Sequence, residues 1–192
     1  WRLAGDGGRP DLLLAGASSA RWRYDYPLAE RLARAAAAAG AGFAADSLAA
    51  QLAGIQGRTE DAERELAALA TRAGDDQQRA RIAIARFDNS VVWTGQDALR
   101  ILDEAERTIT APGWRDELAA RRLAALSNTR GPQAVVEAAE GLLDRATGSA
   151  LAFACMPAAH SLARCGRIHA ALDTAARGLA AQRATSRPVT WY

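Results

Sequence analysis

Lysine is missing altogether: the sequence holds 24 basic residues, and every one is arginine. A nucleotide-binding P-loop needs a lysine to reach the terminal phosphates, so no such ATP site exists in these residues. Schiff-base catalysis is excluded on the same ground. Cysteine is scarce, with only Cys155 and Cys165, which argues against a disulfide framework and for a reducing compartment, here taken as the cytoplasm. No apolar run is long enough to span a bilayer, and no basic-then-apolar leader is present. Charge of one sign is also lacking. A formal net charge of +2 speaks against direct nucleic-acid contact by this segment. Aromatic residues make up only 6% of the chain, and β-branched runs are short.

Alanine and leucine dominate what is there. Both are strong helix formers, as is arginine, and no period-2 alternation persists. The expected fold class is all-α. Proline and glycine punctuate the chain into helix pairs. The first pair is expected near 10–22 and 27–39, the second at 43–55 and 59–70. A third follows near 77–92 and 96–109, a fourth near 114–126 and 132–145, a fifth near 149–164 and 168–183. Pro10 suits a first helical turn, and Thr59 reads as a helix cap. The only methionine is Met156 and the first residue is Trp1, so the chain reads as a piece of a longer protein whose last residues open a sixth unit.

The turns within pairs share one register. Tyr24-Asp25-Tyr26-Pro27-Leu28-Ala29, Gly57-Arg58-Thr59-Glu60-Asp61-Ala62 and Gly166-Arg167-Ile168-His169-Ala170-Ala171 superimpose. Trp93 to Ala98 and Arg130 to Val135 follow less closely. Small residues are expected at the last position, where the helices of a pair cross. These anchors, Ala29, Ala62, Ala98, Val135 and Ala171, recur at 33, 36, 37 and 36 residues, near the ~34-residue tetratricopeptide period. Ala33, Leu66 and Ala175 are expected at further packing positions. The predicted architecture is one repeat domain over 1–192, a tetratricopeptide-like right-handed superhelix of about five pairs. Each pair buries its apolar stripe against the next, and the first helices line the concave side.

On that side the register places Ser18, Trp22, Ser47, Gln51, Phe87, Ser90, Glu117, Ala124, Phe153, Met156 and His160. Aromatic faces mixed with hydrogen-bonding groups suit a small polar molecule or a peptide. Arg86, Asp88 and Asn89 break the apolar pattern of their helix. Two readings stand for them: contacts to a ligand framed by Trp93, or internal pairs with adjacent helices. Cys155, His160, Cys165 and His169 do not form a metal site, because Cys155 and Cys165 lie ~15 Å apart along one helix. No Gly-x-Ser-x-Gly elbow, HExxH motif or glycine-rich nucleotide loop is present, so no catalytic residue and no cofactor is assigned, and the chain is not read as an enzyme.

An ordered set of short motifs runs the length of the chain. It comprises Pro10-Asp11-Leu12-Leu13-Leu14-Ala15; Leu28-Ala29-Glu30-Arg31-Leu32-Ala33; Gln56-Gly57-Arg58-Thr59-Glu60-Asp61-Ala62-Glu63; Gln78-Arg79-Ala80-Arg81-Ile82-Ala83; Asp88-Asn89 through Trp93; Trp114-Arg115-Asp116-Glu117-Leu118-Ala119; and Gly166-Arg167 through Ala171-Leu172. In this order they resemble the helical-repeat sensor region of MalT-like, large ATP-binding LuxR-family transcriptional regulators. The resemblance implies partner domains in the same full-length protein, a nucleotide-binding one and a DNA-binding one. It also implies that a small inducer, a sugar in MalT-like regulators, binds the repeats and relieves autoinhibition. The expected lining is Trp22, Gln51, Arg86, Asp88, Asn89, Phe153 and His160. The competing expectation is a protein-interaction scaffold that docks a peptide or another domain.

Overall fold

The computed structural model describes residues 9–90 and 95–185, with the side chains of 95–97 excepted. The glycine-rich loop at 5–8, Trp1, the turn at 91–94 with Trp93, and 186–192 with Trp191 lie outside the described residues. Among the described residues the secondary structure is wholly helical. The helices are α1 (Pro10–Trp22), α2 (Tyr26–Ala38), α3 (Phe43–Ile55), α4 (Thr59–Ala70), α5 (Asp76–Ser90), α6 (Gly95–Glu106), α7 (Pro112–Thr129), α8 (Pro132–Arg145), α9 (Gly148–Arg164) and α10 (Ile168–Ala184). The chain divides into two compact units, Trp1–Gly74 with α1–α4 and Asp75–Tyr192 with α5–α10.

Three of the turns within pairs are built alike. After α3, the N–H of Gly57 bonds the Gly54 carbonyl and that of Arg58 reaches back to Ala53 at 3.0 Å. After α9, Gly166 and Arg167 repeat this on Ala163 and Leu162, and after α1, Tyr24 and Asp25 do so on Arg21 and Ala20. This is the Schellman ending, whose penultimate residue must take a positive φ. Gly57 and Gly166 supply it at +85° and +78°, whereas Tyr24 does so at +60° with a Cβ in place. The closing residue then starts the next helix. Arg58 gives its carbonyl to the Ala62 N–H, so Arg58 is the cap of α4 and Thr59, expected as the cap, is its first helical residue. In α7 the helix begins two residues before the expected Trp114, because Pro112 occupies its first position, where no N–H is needed.

The anchors fall where the register places them. Ala29, Ala62, Ala98 and Val135 are fully buried, and Ala171 nearly so. In the first unit Ala17, Ala20, Ala29, Ala33, Ala49 and Leu52 share one core, built of small residues that let the helix axes come close. In the second unit α7 packs on both α5 and α6, and α9 on both α7 and α8, so each leading helix seats on the whole pair before it. Ala175, expected to pack, is instead exposed. The inward face of α10 runs Ala171, Thr174, Gly178 against α9, and Ala175 lies on the adjoining face.

Polar contacts repeat with the same period. Glu30 of α2 accepts from Arg58, and Arg34 pairs with Glu65 of α4 at 3.1 Å. In the second unit Asp76 accepts from the N–H groups of Thr110 and Ala111, both at 2.8 Å. Further along, Arg145 meets Asp116 at 2.8 Å and Arg177 donates to the Leu143 carbonyl at 2.8 Å. Of these, Arg145–Asp116 ties the two helices of one pair, and the others join neighbouring pairs through residues 28 to 35 apart, about one repeat.

Candidate functional site

In the second unit the leading helices α5, α7 and α9 lie side by side. Residues one repeat apart on them therefore face one another. Asp88 of α5, Arg121 of α7 and Phe153 of α9 form such a line. The Arg121 Nε lies 3.5 Å from an Asp88 oxygen, and its guanidinium carbon sits 3.3 Å from the centre of the Phe153 ring. The Arg121 side chain is only 12% exposed. A cation so placed draws on both the carboxylate and the ring face, each stronger away from water. One turn earlier on the same two helices, the Ser149 hydroxyl donates to Glu117. The two contacts form successive rungs between α7 and α9.

Below the Glu117–Ser149 rung a cavity of about 310 Å³ opens between the first turns of α7 and α9. Trp114, Asp116 and Glu117 line it from α7, and Thr147, Gly148 and Ser149 from the start of α9. Its volume falls at the lower end of the range for small-molecule sites. Trp114 is half-buried, with the Arg81 guanidinium 5.9 Å from its ring. The lining thus offers an indole, two carboxylates and two hydroxyls. Neither helix start carries a side-chain cap. Asp116 is held in place by Arg145. Such a set accepts hydroxyl protons through the carboxylates and takes apolar C–H surface on the indole.

The expected lining residues divide between the units. Trp22 and Gln51 belong to the first, where Arg21 joins them. Its guanidinium lies 5.8 Å from the Trp22 ring centre and its Nη1 donates to Gln51 Oε1 at 3.3 Å. Gln51 in turn donates to Ser47 at 3.2 Å. In the second unit, Asp88 and Phe153 meet at Arg121, and Phe153 is otherwise buried in the core of α7, α8 and α9. Arg86 and Asn89 are half-buried on the last turns of α5 and do not line the cavity. His160 is exposed, two turns along α9 from Phe153. Phe87, expected on the groove face, is a core residue with 2% exposure, because one helical step separates it from the face that carries Asp88. Ser47 is likewise buried.

Arg121, Trp114, Asp116 and Thr147 are the functional candidates that sequence reasoning missed. The signal for Arg121 is the repeat itself, since it stands one period after Asp88 and one before Phe153. No family model, curated protein or solved structure matches this chain. Among the described residues, no helix is long and apolar enough to cross a membrane.

Proposed function

We propose that this chain is the inducer-sensing repeat region of a MalT-like transcriptional regulator, and that its second unit binds a small polar molecule such as a sugar. One observation carries the reading: the cavity between α7 and α9, with the Trp114 indole, the Asp116 and Glu117 carboxylates and the Thr147 and Ser149 hydroxyls around it. An uncharged polyol matches that lining better than an anion, which the two carboxylates would repel. The motif order along the chain supports the regulator assignment. In this reading the leading helices line the inner wall of a right-handed superhelix, and the ligand bridges two of them. Bridging favours one arrangement of neighbouring pairs over another, and only a difference in affinity between the two can shift the balance. The released state would then free the nucleotide-binding and DNA-binding domains of the full-length protein from autoinhibition.

The test is a thermal-shift titration with a panel of mono- and disaccharides, followed in parallel by tryptophan fluorescence. A ligand at 100 times its Kd stabilises the folded state by roughly 2.7 kcal/mol. Glu117→Ala and Trp114→Phe are expected to reduce that shift. A panel in which no saccharide moves either signal sinks the reading. A docking role for protein partners is favoured elsewhere on the second unit, on α10.

A further inference from the structure

The outer face of α10 carries an apolar stripe. Ile168, Leu172 and Leu179 are 52%, 64% and 51% exposed, and with Ala175 they recur at steps of four, three and four residues, which puts them on one side of the helix. Met156 of α9, 48% exposed, shares a groove with Ala175 and Leu179 of that stripe. Between the two helices runs a groove of about 280 Å³ whose walls include Cys155, Met156, Gly178 and Leu179. Gly178 is required there: a Cβ on it would come within 2.6 Å of the Cys155 Cβ. The groove floor is therefore as flat as side chains allow.

The pair before it shows what such a face is for. With Val135 and Ala171 in register, Leu172 corresponds to Val136, Ala175 to Ala139, and Leu179 to Leu143. In α8 the first two are buried, at 7% and 2% exposure, and Leu143 is partly buried. They are buried because α9 and α10 lie over them: Val136 forms a cluster with Leu162 and Ala171, and Ala139 belongs to a core to which α9 gives Ala150, Phe153, Ala154 and Ala158. The helix that fits an α8-type face is thus one with alanines a turn apart. Equivalent positions on α10 have the same apolar character and no helix over them among the described residues. An exposed stripe of this kind is costly in water and marks an interaction surface.

We infer that Met156, Leu172, Ala175 and Leu179 form the docking surface for the leading helix of a further helix pair of this repeat type, continuing the row in the same chain. Continuity with the α8–α9 interface specifies the occupant. It is a helix with small residues on its inner face, seated on α9 and α10 as α9 seats on α7 and α8.

The experiment appends a second copy of 148–185 directly after Thr185 in the full chain, in the parent and in a Leu172→Glu/Leu179→Glu background. In the parent the added pair is expected to fold. Helical circular dichroism per residue is kept, the melting midpoint rises by several degrees, and Met156 oxidises at least severalfold more slowly with peroxide. The double variant without the added pair melts as the parent does, since both leucines are exposed, whereas with the added pair it gains no midpoint and leaves the new residues protease-sensitive. An added pair that stays unfolded on the parent overturns the proposal, as does one that folds equally well on the double variant. Dimerisation of the unextended chain in sedimentation, abolished by the double variant, also overturns it, because the occupant would then be a second copy.

Discussion

Arg121 is the residue on which the second unit's leading helices converge. It joins α5 through Asp88 and α9 through Phe153. Removing one partner of a shielded polar pair costs about 1–3 kcal/mol, so Arg121→Ala should lower urea-denaturation stability by that amount. A double-mutant cycle with Asp88→Asn should return a coupling well above zero, which an independent, merely packing role for either side chain would not. The two cysteines offer a second check. Cys155 is buried, and burial pushes its thiol above the ordinary value, with Arg177 opposing only in part. Cys165 is half-buried at the end of α9, its Sγ 3.8 Å from Gln133. The thiolate is the reactive form. A thiol reagent at neutral pH should therefore modify Cys165 first, with Cys155 following only on unfolding; equal rates would contradict the placement of α10 over Cys155.

At the scale of elements, turns and helix starts decide where each helix lies. Replacing Gly57 or Gly166 by alanine puts a Cβ into the left-handed region, which costs roughly 1–2 kcal/mol. Each variant should lose that much in a chemical melt, while Gly113→Ala, at a position without positive φ and open to solvent, should not. The start of α5 carries a pH-sensitive clamp. Arg79, then the N–H groups of Ala111 and Thr110, hold the Asp76 carboxyl well below the usual carboxylate range. A lowered folded-state pKa means stability that is present above the unfolded value, near ~4, and is lost as pH falls toward the folded one. Asp76→Asn should therefore melt a few degrees below the parent at pH 7, with the gap closing in strong acid. The legibility of the elements follows from the same local physics. Proline at a first turn, glycine at a Schellman ending and alanine at a crossing act within a few residues, so the helix spans and the anchors can be read directly from the sequence. The cavity cannot. Its walls come from two helix starts more than 30 residues apart, and nothing in the sequence brings them together. Phe87 and Ala175 show the remaining gap: a helix's inward face is known from periodicity to about one residue, and one residue is 100° of rotation.

For the whole molecule, the repeat restricts how far a perturbation spreads. Leu123 of α7 is buried in a core shared with α8 and α9. Leu123→Ala should cost about 2–5 kcal/mol, and hydrogen exchange should report the loss across those three helices, since each pair is stabilised by its nearest neighbours. Uniform loss of protection through α1–α4 would refute nearest-neighbour coupling.

The polar bonds between pairs, which span about one repeat or less, also bear on how the chain reaches this structure. Closing a loop costs entropy that grows only with the logarithm of its length, and among the described residues these bonds close loops of 16 to 35 residues, none much longer than one repeat. Adding pairs to the row would not lengthen the largest closure the chain must make. Folding can start on any pair and spread outward, at a rate set by one hairpin of helices and not by the size of the array.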